Sequence, residues 1–205
     1  MNRGLVRWFM GTVIFVFLPT ACATTELNQT SMDESYRGKF LSSIIVIAVT
    51  DDQGARRSFE SKFVALLKAT GIDAVSSGSG IAVTANRKLT KTEILKAVEK
   101  YGSDAVCVTH LIGLEKTEVY NPAPRRYTGF YGYYDNVYGH VHGRGYYSTA
   151  TVVRLETNLY DAKTEKIIWS GQSKTWNPAT DEQIYVEVVK EVIGELQKNK
   201  LLPKK

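Results

Sequence analysis

Between Asp104 and Trp176, two runs of alternating residues flank a tyrosine- and glycine-rich excursion, and a third strand-like run follows after a short turn. In the first run Val106, Val108, His110, Ile112 and Leu114 recur at every second position. In the second, Val153, Leu155, Thr157 and Leu159 alternate with Arg154, Glu156, Asn158 and Tyr160, the pattern of an antiparallel strand with one wet face. Asp161-Ala162-Lys163-Thr164-Glu165 reads as a hairpin turn into the strand Lys166 to Trp176. These runs commit the chain to a sheet, with the excursion at residues 120–147 as a long connection within it.

Upstream, the β-branched run Ser43 to Thr50 has the composition of a strand covered on both faces. A helix follows from Ala55 to Thr70, with Phe59, Phe63, Leu66 and Leu67 at helical spacing, Arg56, Arg57, Glu60, Lys62 and Lys68 facing outward, and Gly71 as its stop. A short strand from Ile72 to Ser76 precedes Ser77-Gly78-Ser79-Gly80 and a weak strand or loop. Thr90-Lys91-Thr92-Glu93 then has capping-box spacing ahead of a stripe of Ile94, Leu95, Val98 and Tyr101. Two strand-helix units in succession predict right-handed crossovers between parallel strands. Thr180 and Gln183 cap a last helix that buries Ile184, Val188, Val192, Ile193 and Leu196. The fold class is α/β with α+β character: a mixed sheet in the order β-α-β-α-β-β-β-α, helices packed on it, and a long Tyr/Gly-rich hairpin excursion. Residues 41–202 form the single domain.

Residues 1–21 read as a secretory leader, with Arg3 and Arg7 before an apolar run, Trp8 to Leu18, too short to span a bilayer. Leu18-Pro19-Thr20-Ala21-Cys22 resembles the lipobox of bacterial lipoproteins, although Pro19 holds the place usually given to leucine. The resemblance implies that Cys22 is acylated and becomes the mature amino terminus. Ala23, where an inner-membrane retention signal would carry Asp, implies the outer membrane and its periplasmic face. Cleavage by an ordinary signal peptidase with a free Cys22 is the alternative. The one other cysteine, Cys107, falls within an apolar strand and reads as buried and inert. Residues 22–40 read as a flexible polar tether, reaching at most roughly 60 Å when extended. The net charge of +5 includes both leader arginines, so it calls for no anionic partner, and nucleic acid is not expected.

The segments SIIVIAVT, FVALLKATGIDAV, ILKAVEKYGSDAVCVTHLIG and LETNLYDAKTEKIIWSG together resemble the α/β domain of a group of bacterial envelope lipoproteins. That group includes the curli-secretion channel lipoprotein, the penicillin-binding-protein activator lipoprotein and the amino-terminal domain of the Tol-Pal periplasmic protein. Asp161, Thr164, Ile168 and Trp169 match the group's hairpin, in which Asp-x-x-Thr-Gly precedes an aliphatic-Trp pair, but Glu165 stands where the glycine would. The resemblance brings no catalytic residues with it.

The excursion contains eight of the twelve tyrosines together with Gly129, Gly132, Gly139, Gly143 and Gly145. Rigid aromatic area beside adaptable backbone suits recognition, which makes Arg125, Arg126, Tyr127, Tyr131, Tyr133, Tyr134 and Tyr138 the candidate partner-binding residues. A hairpin tip whose tyrosines pack on the domain itself is the competing reading. His140 and His142 would share one face of a strand, but a stable zinc site wants three or four ligands and only Asp135 is near, so they are weak metal candidates. Asp51 and Asp52 stand at the carboxyl end of the first strand, where α/β sheets often bind ligands, yet no glycine-rich fingerprint follows and they read as solvated turn residues.

With no catalytic constellation and no cofactor beyond a covalent lipid, the expectation is a non-catalytic membrane-tethered binding or assembly module that contacts an envelope protein through the excursion. A structural subunit of an oligomeric envelope or secretion complex is one alternative. A cell-wall glycan-binding protein, with peptidoglycan as its partner, is the other.

Overall fold

The computed structural model describes residues 24–81, 88–121, 129–142 and 146–204. One mixed sheet organises them, in the order β1-β6-β5-β4-β2-β3. Its strands are β1 (Thr24–Met32), β2 (Ser43–Val49), β3 (Asp73–Ser76), β4 (Ala105–Asn121), β5 (Tyr146–Asp161) and β6 (Ile167–Trp176). The helices are α1 (Gln53–Ala69), the single turn α2 (Ser77–Gly80), α3 (Lys91–Tyr101), α4 (Gly129–His142) and α5 (Asp181–Lys198). β2 runs parallel to β3 and to β4, while β4, β5, β6 and β1 pair antiparallel in turn.

Alternation along β2 decides the layers. Ile44, Val46 and Ala48 face α1 and α5 in the larger core, with Phe59, Phe63, Leu67, Trp169, Val188, Val192 and Leu196. Ile45 and Ile47 face the opposite way, onto Ala97, Ile94, Val98 and Tyr101 of α3. Both faces of β2 are therefore dry up to Ala48, which is why Ile44 to Ile47 are unbroken Ile and Val. The caps expected from sequence are present: Thr90 and Glu93 form a reciprocal box, Gly102 closes α3 in the left-handed region at φ +59°, and Thr180 accepts from the Gln183 amide.

Three features depart from the sequence reading. Residues 24–32 are a strand rather than part of a tether, pairing with β6 from Thr24 opposite Trp176 to Met32 opposite Trp169. Its only apolar anchors are the half-buried Leu27 and Met32, and a register shift at Gln29 (φ +51°) breaks their periodicity, so a polar sequence conceals a strand held by backbone pairing. The excursion is no simple hairpin tip, because α4 lies within it. The alternation of β4 also changes phase: a bulge between Leu111 and Gly113 inserts Ile112, and Leu111, Ile112 and Leu114 are all exposed.

Register fixes which end is which. Thr24, Trp176 and Val152 lie side by side across β1, β6 and β5. Beyond that level β4 and β5 continue alone, from Lys116 opposite Thr151 to Asn121 opposite Tyr146, a two-stranded ribbon about 20 Å long. The amino terminus of β1 and the ribbon thus leave the sheet at the same end.

Candidate functional site

Two places carry groups in excess of what the fold needs. The first is the ribbon with α4. Tyr120 and Tyr147 are cross-strand partners with ring centroids 5.3 Å apart. On α4, Phe130 meets Tyr131 edge-on at 5.3 Å and Tyr134 lies against Tyr138 at 6.3 Å. These rings lie largely in solvent: Phe130 is 76 % and Tyr131 82 % exposed, and Tyr133, Tyr134, Tyr138 and Tyr147 are exposed as well. A run of exposed aromatics of this kind is the composition of an interaction surface.

The second place is the carboxyl end of β2 and β4, where the crossover through α1 leads to one side of β2 and the crossover through α3 to the other. This reversal is the topological switch point at which open α/β sheets leave a crevice. Asp52 caps α1, its carboxylate accepting from the amides of Gly54 at 2.7 Å and Ala55 at 3.1 Å. On the α1–α5 side lies a cleft of about 240 Å³ between Phe59, Leu111, Leu114, Leu155, Ile184 and Tyr185. On the α3 side lies a larger one of about 670 Å³, bordered by Asp51, Arg56, Ser77, Lys88 and Leu89. His110 lines both, its Nε2 3.7 Å from the Glu156 carboxylate.

Two charged side chains of α1 are buried beside these clefts, and they are treated differently. Glu60, 1 % exposed, accepts from the Ala48 amide at 2.9 Å, the Ser77 hydroxyl at 2.6 Å and the Gly78 amide at 3.2 Å. Its carboxylate thereby ties α1 and α2 to the carboxyl half of β2. Arg56, one turn earlier and 8 % exposed, borders the larger cleft, and its Nε is shut off from solvent without a hydrogen-bond partner. Sequence reasoning placed both on the outer face of the helix. The signal that could have found them was the pair of aspartates at the carboxyl end of the first strand: Asp51 does border the larger cleft, while Asp52 is spent on the helix cap.

Of the residues singled out from sequence, Tyr131, Tyr133, Tyr134 and Tyr138 come together on α4. Cys22, Arg125, Arg126 and Tyr127 lie outside the described residues. His140 and His142 belong to α4 and not to a strand, so the premise that residues two apart share a face is lost. Among the described residues no three His, Cys, Asp or Glu side chains are grouped to hold a metal. Cys107 is 2 % exposed, and burial pushes its thiol up to about 12, against a small opposing effect of its hydrogen bond with Thr109. It is a packing residue with no nucleophilic character at neutral pH. No helix among the described residues is long and apolar enough to cross a membrane.

No protein-family model matches the chain, and no curated protein does. Solved structures do resemble it. The PelC dodecamer from Paraburkholderia phytofirmans is 14 % identical with a TM-score of 0.45, covering 89 % of this chain and 99 % of that one. Lipoprotein GNA1162 from Neisseria meningitidis is 14 % identical at 0.44, covering 77 % and 99 %. A minor lipoprotein from Acinetobacter baumannii is 8 % identical at 0.33, covering 80 % and 98 %. Two of the three are named as bacterial lipoproteins, and at these scores the likeness carries no weight for function.

Proposed function

We propose that this chain is a non-catalytic lipoprotein of the bacterial envelope, acylated at Cys22, which binds an envelope protein lying at the membrane surface through its aromatic ribbon and α4. One observation carries the reading: Thr24, two residues after Cys22, is fixed in the sheet opposite Trp176, at the end from which the ribbon projects. A lipid on Cys22 then holds that end within about 7 Å of the leaflet, a two-residue reach, instead of letting the domain swing at a distance. Tyrosine and phenylalanine suit that depth, since their rings are apolar and the tyrosine hydroxyl is polar. The lipobox-like Leu18 to Cys22 and the resemblance to the secretion-channel and activator lipoproteins support the outer membrane, periplasmic face, as the location. Nothing in that resemblance supplies catalysis.

The test is a photo-crosslinking residue at Tyr131 or Tyr138 in cells, with captured material identified by mass spectrometry. A specific envelope protein captured from both positions, and lost when residues 121–146 are removed, is the expected result. Capture of lipid alone would turn the surface into a membrane contact and overturn the protein partner. A Cys22→Ser chain that remains in the membrane fraction would overturn the anchor.

A further inference from the structure

The larger cleft on the α3 side has no role in the reading above, and its chemistry is specific. A guanidinium nitrogen shut off from water without a partner is costly, and a buried charge is ordinarily paired. Arg56 is 8 % exposed with an unpartnered, solvent-excluded Nε, although Glu60 stands one turn away on the same helix. Glu60 does not serve it, being occupied by Ala48, Ser77 and Gly78. Lys88 lines the same cleft and adds a second positive charge, and Asp51, exposed to solvent, is the one carboxylate among its described lining residues. Ile47, Leu89, Ile94 and Val108 give the cleft an apolar wall, while Thr50, Ser77 and His110 add neutral polar groups to the rest of its described lining. At about 670 Å³ the cleft has the volume of a small-molecule site, and it stands at the switch point of the sheet.

We propose that this cleft binds a carboxylate carried on a short apolar body, the guanidinium of Arg56 pairing with the carboxylate. Lys88 strengthens the attraction, and the Ile47–Leu89–Val108 wall takes up the apolar part. Arg suits this task better than Lys because its planar fork matches a carboxylate and it sheds water at lower cost. The carboxylate can belong to a free short-chain fatty acid or to the carboxyl terminus of an apolar peptide. The site depends on neither the lipid on Cys22 nor the aromatic ribbon, so it stands or falls separately from the proposed function.

Calorimetric titration of the purified full chain decides it, with hexanoate and N-acetyl-Leu-Leu as probes and hexanol and N-acetyl-Leu-Leu amide as their uncharged counterparts. Saturable binding of either acid, with the uncharged counterpart weaker by about tenfold or more, supports the site. Binding of hexanoate alone assigns it to a fatty acid, and binding of the peptide alone to a chain terminus. Arg56→Met, which keeps the bulk of the side chain, should weaken the acid by about tenfold, and the exposed Lys88→Gln by about two- to threefold. Neither acid saturating at about 10 mM, or Arg56→Met binding as tightly as the parent, overturns the proposal. Should Arg56→Met fail to fold, an unchanged affinity in Lys88→Gln together with no acid-induced shift of the Ser77 and His110 amide resonances overturns it equally.

Discussion

The indole of Trp169 lies across the α-carbon of Gly171, two residues along β6, so that a Cβ at position 171 would stand 2.6 Å from Cζ2 of the ring. Residues two apart on a strand share a face, and here one fills the space that the other leaves empty. Trp169 is 1 % exposed at the centre of the core beneath α1 and α5. Gly171→Ala must therefore displace a packed indole, at a cost of about 1–3 kcal/mol. For a chain of this size that lowers Tm by about 2–12 °C, readable by thermal unfolding of the parent and the variant. An unchanged Tm would mean that the ring has room to move.

Asp104 joins the beginnings of β2 and β4: its carboxylate accepts from the Ser42 amide and hydroxyl, each at 2.6 Å, and from the Ser43 amide at 3.1 Å. Burial pushes its pKa up, but the bonds from Ser42 and Ser43 and the charge of Lys163 more than offset this and hold the carboxyl below the ordinary aspartate value. Asp161 is lowered in the same sense, burial again being outweighed by bonds from Thr164 and Lys163. A depressed folded-state pKa means that the unfolded chain binds the proton more readily. The contribution is then complete above about pH 4 and disappears as pH falls through the folded value. Asp104→Asn should be less stable than the parent at pH 7, and the gap should narrow in urea melts as pH falls below the ordinary aspartate value. A gap independent of pH would show that the carboxylate charge is irrelevant to this junction.

The parts of the fold that were legible are those where one physical signal dominates. Ile44 to Ala48 is apolar throughout because both faces of the strand are dry there, and the Thr90–Glu93 box and Gly102 mark both ends of α3. Where stability comes from backbone pairing alone the sequence is silent. β1 offers only Leu27 and Met32, on opposite sides of an irregularity, and nothing in its polar residues foretells β6 as a neighbour. The aromatic surface was visible as composition, since exposure needs only that too many rings crowd too few core positions. Arg56 was not, because burial of a charge depends on tertiary surroundings that helical periodicity does not encode.

Glu165 carries backbone strain that a glycine would relieve. Its φ is +59°, in the left-handed region, and its amide closes the turn onto the Asp161 carbonyl at 2.9 Å. The carboxylate of Asp161 fixes the rest of the turn by accepting from the Lys163 and Thr164 amides and the Thr164 hydroxyl. Glu165→Gly should stabilise the protein by about 0.5–1 kcal/mol, as the relief of the left-handed conformation exceeds the added freedom of the unfolded chain. The ion pair between Glu165 and Lys91, 2.6 Å but exposed at both ends, is worth little by comparison. Lys91→Gln, changing stability by less than about 0.5 kcal/mol in denaturant titrations, separates the two effects. A loss of stability in Glu165→Gly would mean that the ion pair outweighs the strain.

Whether the proposed anchor and the ribbon would act at one end depends on β1 staying docked, and Thr25 is the residue that tests this. Its hydroxyl donates to Glu187 of α5 at 2.8 Å and lies 2.9 Å from the hydroxyl of Thr175 on β6, so one side chain ties β1 to both the sheet and the helix above it. Thr25→Val keeps the shape and the strand propensity while removing both bonds, one of them to a carboxylate left with Gln183 as its partner, at a cost of about 1–3 kcal/mol. Because β1 adds little apolar burial, that cost falls on its local opening and not on global unfolding. Amide hydrogen exchange in β1 should then accelerate by about tenfold or more in Thr25→Val while the amides of α1 and β2 keep their rates. If the β1 amides of the parent already exchange at the rate of a free peptide, residues 24–32 behave as a tether in solution, and the ribbon is released from the level of the leaflet.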